Sequence, residues 1–309
     1  MQKTSIPESK TLSLLIVPCF LILATLYINR ERDIGRGASS LHQFNGNATD
    51  SEFCTQNPQI IVYNRIGKAG SSTIMDLFKR ISIKNNFTVI KPTPKHDHVK
   101  LRETIFDALN TGDRTLIMNH FYYPELIYSN KIAYINMMRD PVDRFVSHYY
   151  YVRLPRRVKG LAEEYCLAHG NLTLEECIFG RHVFRGKCLG KFNVMAHYFC
   201  GMESNACHDK KDVLVKSSQD NLQSVYTVGI VEELQQSLRM LEIKFPNFFR
   251  GILSLDILPQ NTNPKEAENS NVTNYIKKKH SIDYLLYDIA RANLQTYMER
   301  CDGGMPERN

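Results

Sequence analysis

One stretch, residues 59–81, constrains the fold more than any other. Gln59–Asn64 (Gln-Ile-Ile-Val-Tyr-Asn) is a short apolar, β-branched run that reads as a buried strand. Glycines follow at Gly67 and Gly70. Then Ile74, Leu77, Phe78 and Ile81 fall at i, i+3, i+4 and i+7, which predicts a helix from about Ser71 to Ile81. The alternation continues along the chain. Phe87–Ile90, Thr115–Asn119, Lys131–Met138 and Val225–Ile230 read as further strands. Asp140-Pro141, with Asp143 behind it, has the composition of a helix start. Leu234, Leu238, Leu241 and Phe245 form a second helical stripe, and Tyr284–Met298 reads as a last helix. Strands alternating with helices predict an α/β fold with a mainly parallel central sheet flanked by helices.

The turn between the first strand and its helix, Arg65-Ile66-Gly67-Lys68-Ala69-Gly70-Ser71-Ser72-Thr73, has the chemistry of a phosphate cradle. Glycines let backbone N–H groups approach an anion, and a helix N-terminus adds orphan N–H groups and a partial positive charge. Ser71, Ser72 and Thr73 add hydroxyl donors, and Lys68 adds a point charge. The lysine precedes the second glycine, so this is not the Walker arrangement, and a P-loop kinase is disfavoured. A second segment, Arg139-Asp140-Pro141 through Ser147, closes a strand with an arginine and places a serine two helical turns past the cap. An arginine and a hydroxyl on one face can clasp a second phosphate. Taken singly, each segment also fits an ordinary capped turn.

Compartment signals come from elsewhere. Residues 1–11 read as a short cytoplasmic tail and 12–28 as an uncharged, mostly apolar anchor of roughly 26 Å if helical. A cleaved signal peptide is the alternative, disfavoured by the poor cleavage site at Ala24-Thr25-Leu26. Residues 29–57 are polar, with Gly35, Gly37 and Gly46 among serines and asparagines, as in a flexible stem, leaving 58–309 as the folded body. Sequons stand at Asn47, Asn86, Asn171 and Asn271. The chain has 8 cysteines, seven of them beyond the anchor and five within 166–207, which suits an oxidising lumen. The short loops Cys177–Cys188 and Cys200–Cys207 are the preferred pairs; a zinc site at Cys200, Cys207 and His208 is a rival without a familiar spacing. The net charge of +7 favours acidic partners.

Several stretches, in order, resemble the uronyl and heparan sulfate 2-O-sulfotransferase family of the Golgi. They are Tyr63-Asn64-Arg65 with Gly67-Lys68-Ala69-Gly70-Ser71, Tyr134-Ile135-Asn136 running into Arg139-Asp140-Pro141 and Arg144-Phe145, Glu176-Cys177, Tyr198-Phe199-Cys200-Gly201, and Val228 to Leu234. The resemblance covers about Pro58 to Leu255. It implies a P-loop-like fold that binds the donor PAPS and needs no metal. By the same resemblance Arg65, Lys68, Ala69, Gly70, Ser71, Ser72 and Thr73 hold the 5′ side of the donor, and Arg139 and Ser147 the 3′-phosphate. His120 stands where the family has its general base, while Met118 replaces a second histidine often found two residues earlier. The implied reaction is sulfuryl transfer to the 2-hydroxyl of a uronic acid. The implied setting is a single-pass type II Golgi membrane protein, homo-oligomeric and often trimeric in the family, acting on an anionic glycosaminoglycan, with no nucleic acid partner. Heparan, dermatan and chondroitin acceptors all remain open.

Arg153, Arg156 and Arg157, with Lys159, are candidates for binding acceptor carboxylates and sulfates. Lys277-Lys278-Lys279-His280 reads as a solvated helix start, and His96-Asp97-His98 as a polar loop. A Golgi glycosyltransferase would share the compartment signals, but the sequence has no D-x-D. An inactive PAP(S)-binding or glycan-binding membrane protein is the alternative from another class.

Overall fold

Five strands form one parallel sheet in the order β2-β3-β1-β4-β5. They are β1 (Ile60–Asn64), β2 (Thr88–Ile90), β3 (Thr115–Asn119), β4 (Ile132–Met138) and β5 (Tyr226–Ile230). The computed structural model describes residues 50–93, 97–124, 130–152, 172–180, 191–201, 206–258 and 269–303. These all fall within a compact unit spanning Ala48–Asn309. The helices in chain order are α1 (Asp50–Cys54), α2 (Ser71–Asn85), α3 (His98–Thr111), α4 (Pro141–Val152), α5 (Leu174–Phe179), α6 (Val194–Cys200), α7 (Ala206–Asp209), α8 (Lys211–Ser224), α9 (Leu234–Lys244), α10 (Pro246–Phe249), α11 (Ser270–Lys279) and α12 (Ser281–Cys301).

Strand periodicity divides the core. Ile61, Tyr63, Leu116, Met118, Ile135, Met137, Val228 and Ile230 pack on one face, against α2, α9, α10 and α12. Ile60, Val62, Ile117 and Tyr134 pack on the other, against Leu101, Ile105 and Ala108 of α3. With both faces covered, β1 and β3 are buried along their whole length, as parallel strands require. A smaller cluster joins α4, α5 and α11.

The expected strands occur within a residue of their predicted bounds. The helices needed more correction. The helix expected over Ser71–Ile81 runs on to Asn85, and that expected over Tyr284–Met298 spans Ser281–Cys301. Asp97 is not loop: its side chain accepts the Lys100 N–H at 2.8 Å and caps α3, which His98 opens. Lys277–Lys279 form the last turn of α11, not a helix start, which places cations at the negative end of the helix dipole. The folded body also begins earlier than residue 58. Tyr297 of α12 donates its hydroxyl to the Cys54 carbonyl (2.5 Å), and Cys54 is joined to Cys301 by a disulfide.

Cys200 and Cys207 are joined as expected, which leaves no thiolate there for zinc. Cys177 is disulfide-bonded; Cys188 lies outside the described residues. So do Asn47, Asn171, Arg153, Arg156, Arg157 and the expected anchor over 12–28. Among the described residues no helix is long and apolar enough to cross a membrane.

Candidate active site

The chain runs from β1 to β2 at one edge, back to β3, and then across β1 to β4 and β5, so the direction of winding switches beside β1; open α/β sheets bind ligands outside the C-terminal ends of strands at such a point. Those ends are tied together by buried asparagines. Asn136 donates through Nδ2 to the Asn64 carbonyl (2.8 Å) and to Asn64 Oδ1 (2.7 Å). Asn64 Nδ2 donates to the Tyr198 carbonyl (3.1 Å). Asn119 Nδ2 donates to the Pro92 carbonyl, and its Oδ1 accepts the His120 N–H at 2.8 Å. All three amides are 0–1% exposed, so each bond replaces water that a buried polar group would otherwise miss.

From this frame the chain turns into the loop between β1 and α2. Arg65 N–H donates to the Asn119 carbonyl at 2.8 Å. The Arg65 carbonyl lies 2.7 Å from His120 Nδ1. A carbonyl only accepts, so Nδ1 carries the hydrogen and the neutral ring offers its lone pair at Nε2. The Arg65 side chain is 5% exposed and donates through Nη2 to Ser71 Oγ at 3.3 Å. Lys68 and Gly70 both adopt left-handed backbone, at φ 68° and 64°. The helix α2 then starts without a side-chain cap, so its first-turn N–H groups, with Ser72 and Thr73 beside them, suit an outside acceptor. A Cβ at Gly70 would lie 3.3 Å from Val231 Cγ2, whereas nothing surrounds Gly67 within 4 Å.

The second segment meets the first. Lys68 Nζ sits 3.9 Å from the centre of the Tyr151 ring on α4. Arg139, just past β4, points Nη1 at the Lys68 carbonyl (3.4 Å) and pairs through Nη2 with Asp143 Oδ2 (3.1 Å). Its Nε is buried without a hydrogen-bond partner, 3.9 Å from Glu232 Oε1. Asp140 caps α4, accepting from the Asp143 N–H (3.0 Å) and from the Tyr284 hydroxyl (3.0 Å). Glu232 accepts from the Asp140 N–H (3.0 Å) and from the Tyr287 hydroxyl (3.1 Å). Burial first, and these carboxylates second, push both tyrosines well above the ordinary range, so they stay donors. Arg144, one helical turn past Asp140, is 2% exposed, and burial lowers its affinity for the proton against the pull of Asp283. Ser147 lies half-buried on the same helix.

Arg65, Ser71 and His120 thus form one set of contacts and Lys68 and Arg139 another, both anchored on the loop between β1 and α2. Glu232, Asp143 and Tyr151, which hold Arg139 and Lys68, were not singled out for that task from sequence. Asp143 stands four residues from Arg139 on the helix that follows it, and that spacing could have revealed it. Met118 is fully buried in the larger core.

The profile of the sulfotransferase family matches residues 51–288. The uronyl 2-sulfotransferase of Homo sapiens is 26% identical over 238 residues, 72% of this chain and 55% of that protein. Heparan sulfate 2-O-sulfotransferase 1 of Mus musculus is 26% identical over 235 residues, 69% of this chain and 62% of that one. The chain therefore spans little more than half the length of these curated relatives. Likeness to a solved retinol dehydratase in complex with androsterone and inactive cofactor PAP is remote, with 11% identity and a TM-score of 0.25 over 83% of this chain and 85% of that one.

Proposed function

The chain belongs to the sulfotransferase family, and from that membership we propose that it moves a sulfuryl group from PAPS to the 2-hydroxyl of a uronic acid in a glycosaminoglycan or related glycan. The observation that carries this reading is that one loop holds both contacts: Arg139 meets the carbonyl of Lys68, and three residues earlier the Arg65 carbonyl holds His120 through Nδ1. The residues fit such a donor: an uncapped helix N-terminus, a loop lysine, and an arginine Nε buried without an acceptor. Lys68, Ala69, Gly70, Ser71, Ser72 and Thr73, with Arg65 behind them, would hold the 5′ side; Arg139 and Ser147 would hold the 3′-phosphate.

When bound, PAPS supplies the electrophilic sulfur and the phosphate that leaves it. The protein does the rest. His120 Nε2 takes the proton of the attacking hydroxyl, and the hydrogen bond from Nδ1 to the Arg65 carbonyl steadies the imidazolium that results. Lys68 offsets the charge that builds on the leaving oxygen. Holding both ends of the donor fixes the line of attack, a contribution that in well-oriented systems reaches ~7–11 kcal/mol.

The setting we propose is the Golgi lumen, with the chain anchored as a single-pass type II membrane protein and assembled as a homo-oligomer, a trimer by family resemblance. Two disulfides and the exposed sequon asparagines Asn86 and Asn271 support a lumenal body. The test is incubation of the detergent-solubilised chain with labelled PAPS and a panel of heparan, dermatan and chondroitin chains, followed by disaccharide analysis. Label at the 2-position of a uronic acid is expected and identifies the acceptor. Label elsewhere on the sugar, or none from a chain that binds PAP, would remove the assigned reaction.

A further inference from the structure

Away from the donor loop lies a cleft of about 410 Å³ that the reaction above does not use. One wall comes from α6, α7 and the start of α8, and carries His197, His208, Lys210 and Lys211. The other comes from the junction of α11 and α12, and carries Lys278 and Lys279. Asp209 also lines it, a single carboxylate against four lysines. All four lysines are exposed, and none makes an ion pair with a described carboxylate. Lys279 lies 5.7 Å from the Tyr275 ring centre.

The cleft is built, not a chance gathering of surface side chains. The Cys200–Cys207 disulfide clamps α6 to α7. That clamp accompanies a stack of the His197 and His208 rings at 4.9 Å and 18°. Asn193 braces the opposite wall by accepting from the Ile282 N–H at 3.2 Å. His197 Nδ1 is buried with no hydrogen-bond partner. Ring contacts lead from its wall toward the candidate active site. Tyr122, two residues beyond His120, packs edge-on against His208 (6.2 Å) and against Tyr198 (5.2 Å), whose carbonyl receives Asn64.

We propose that this cleft is a second anion site, which holds a sulfated or carboxylated segment of the acceptor polysaccharide beyond the sugar that reacts. The inference rests on the proposed glycan acceptor, because the ring contact from His208 to Tyr122, two residues from His120, is what favours a polysaccharide over other polyanions. Its volume falls within the ~300–1,000 Å³ of ligand pockets, and two lysines stand on each of its two walls.

The test uses the full chain carrying Lys210→Ala with Lys211→Ala, or Lys278→Ala with Lys279→Ala, and the matching arginine substitutions. Calorimetric binding of size-defined heparin oligosaccharides in the presence of PAP needs no turnover. Each alanine pair is expected to weaken binding of long oligosaccharides, and raise their KM, by about tenfold, equivalent to ~1.4 kcal/mol. The kcat, the PAP affinity and the KM of the shortest acceptors should hold, and the arginine pairs should bind as the parent does. Unchanged affinity of both alanine pairs for long oligosaccharides at matched ionic strength overturns the proposal. So does equal binding, with equal loss in the variants, of a single-stranded RNA of the same charge, which would make the cleft a general polyanion surface. Loss of oligosaccharide binding in the variants of a chain that transfers no sulfate would keep the cleft and remove the reaction.

Discussion

Lys68 sets its backbone against its side chain. A left-handed φ of 68° strains any residue with a Cβ, yet the proposed donor site calls for an amine there. Replacing Lys68 by alanine keeps the strain and by glycine relieves it, so Lys68→Gly should be the more stable variant by ~1 kcal/mol. Both should lose turnover by at least ~100-fold if the amine meets the leaving oxygen; denaturation curves and sulfuryl-transfer rates measured together check this. For His120→Ala the expectation is a fall in kcat of ~100-fold or more with the Kd for PAP nearly unchanged. Full activity in that variant would sink the base assignment. Lys244 gives a pH signature. Burial beside Phe53 and Tyr297 lowers it from 10.5 to about 8. Between those values the unfolded chain binds more protons than the folded one, so this residue's contribution makes stability rise with pH across that window. Below pH 8 its penalty is present in full. Lys244→Met should therefore gain on the order of 1 kcal/mol at pH 7, after allowance for partial exposure and the lost ring contacts. That gain should shrink toward pH 10, as melting curves across the range would show. At this scale the glycines and hydroxyls of the first loop were legible because the cradle is local in sequence. The partners of its lysine and arginine were less so: Tyr151 and Glu232 come from distant segments that only the fold brings near.

The strands declared themselves because a buried parallel strand is a short apolar run between polar turns, and local composition shows it. Helices with a polar surface did so less well. Within α3 only Leu101, Ile105 and Ala108 are buried apolar residues, with Leu109 half-buried beside them, among ten polar or exposed positions, and the stripe is too thin to stand out. Likewise α8 buries only Leu214, Ser218 and Leu222. Gly229 illustrates a requirement that no periodicity reveals. It lies in β5 where a Cβ would stand 2.6 Å from Met137 Sδ and 2.8 Å from Ser237 Cβ. Met137 could swing aside, but Ser237 cannot: its hydroxyl accepts from the Ile230 N–H and donates to the Ile230 carbonyl, at 2.7 and 2.9 Å. Gly229→Ala is thus expected to cost ~1–3 kcal/mol by overpacking, read as a lower denaturation midpoint. Because β5 leads straight to Glu232, weaker grip on the donor should accompany it.

Across the whole molecule the least foreseeable contact is the bond between Cys54 and Cys301, 247 residues apart. Clustering of cysteines pointed to Cys200–Cys207, whereas nothing in the spacing of Cys54 named a partner. The bond closes α1 onto the far end of α12 and encloses the sheet and every described site residue. Serine at both positions should cost ~2–5 kcal/mol, the usual loss for a native disulfide. Melting curves of the oxidised chain and the double variant, with PAP binding as a check on the fold, would measure it. The same bond changes how the protein carries load. Tension applied across residues 54 and 301 runs through one covalent link, and the sheet between them feels none of it. In an optical trap the oxidised body should resist unravelling at any force below bond rupture, whereas a reductant should release roughly 850 Å of hidden chain length.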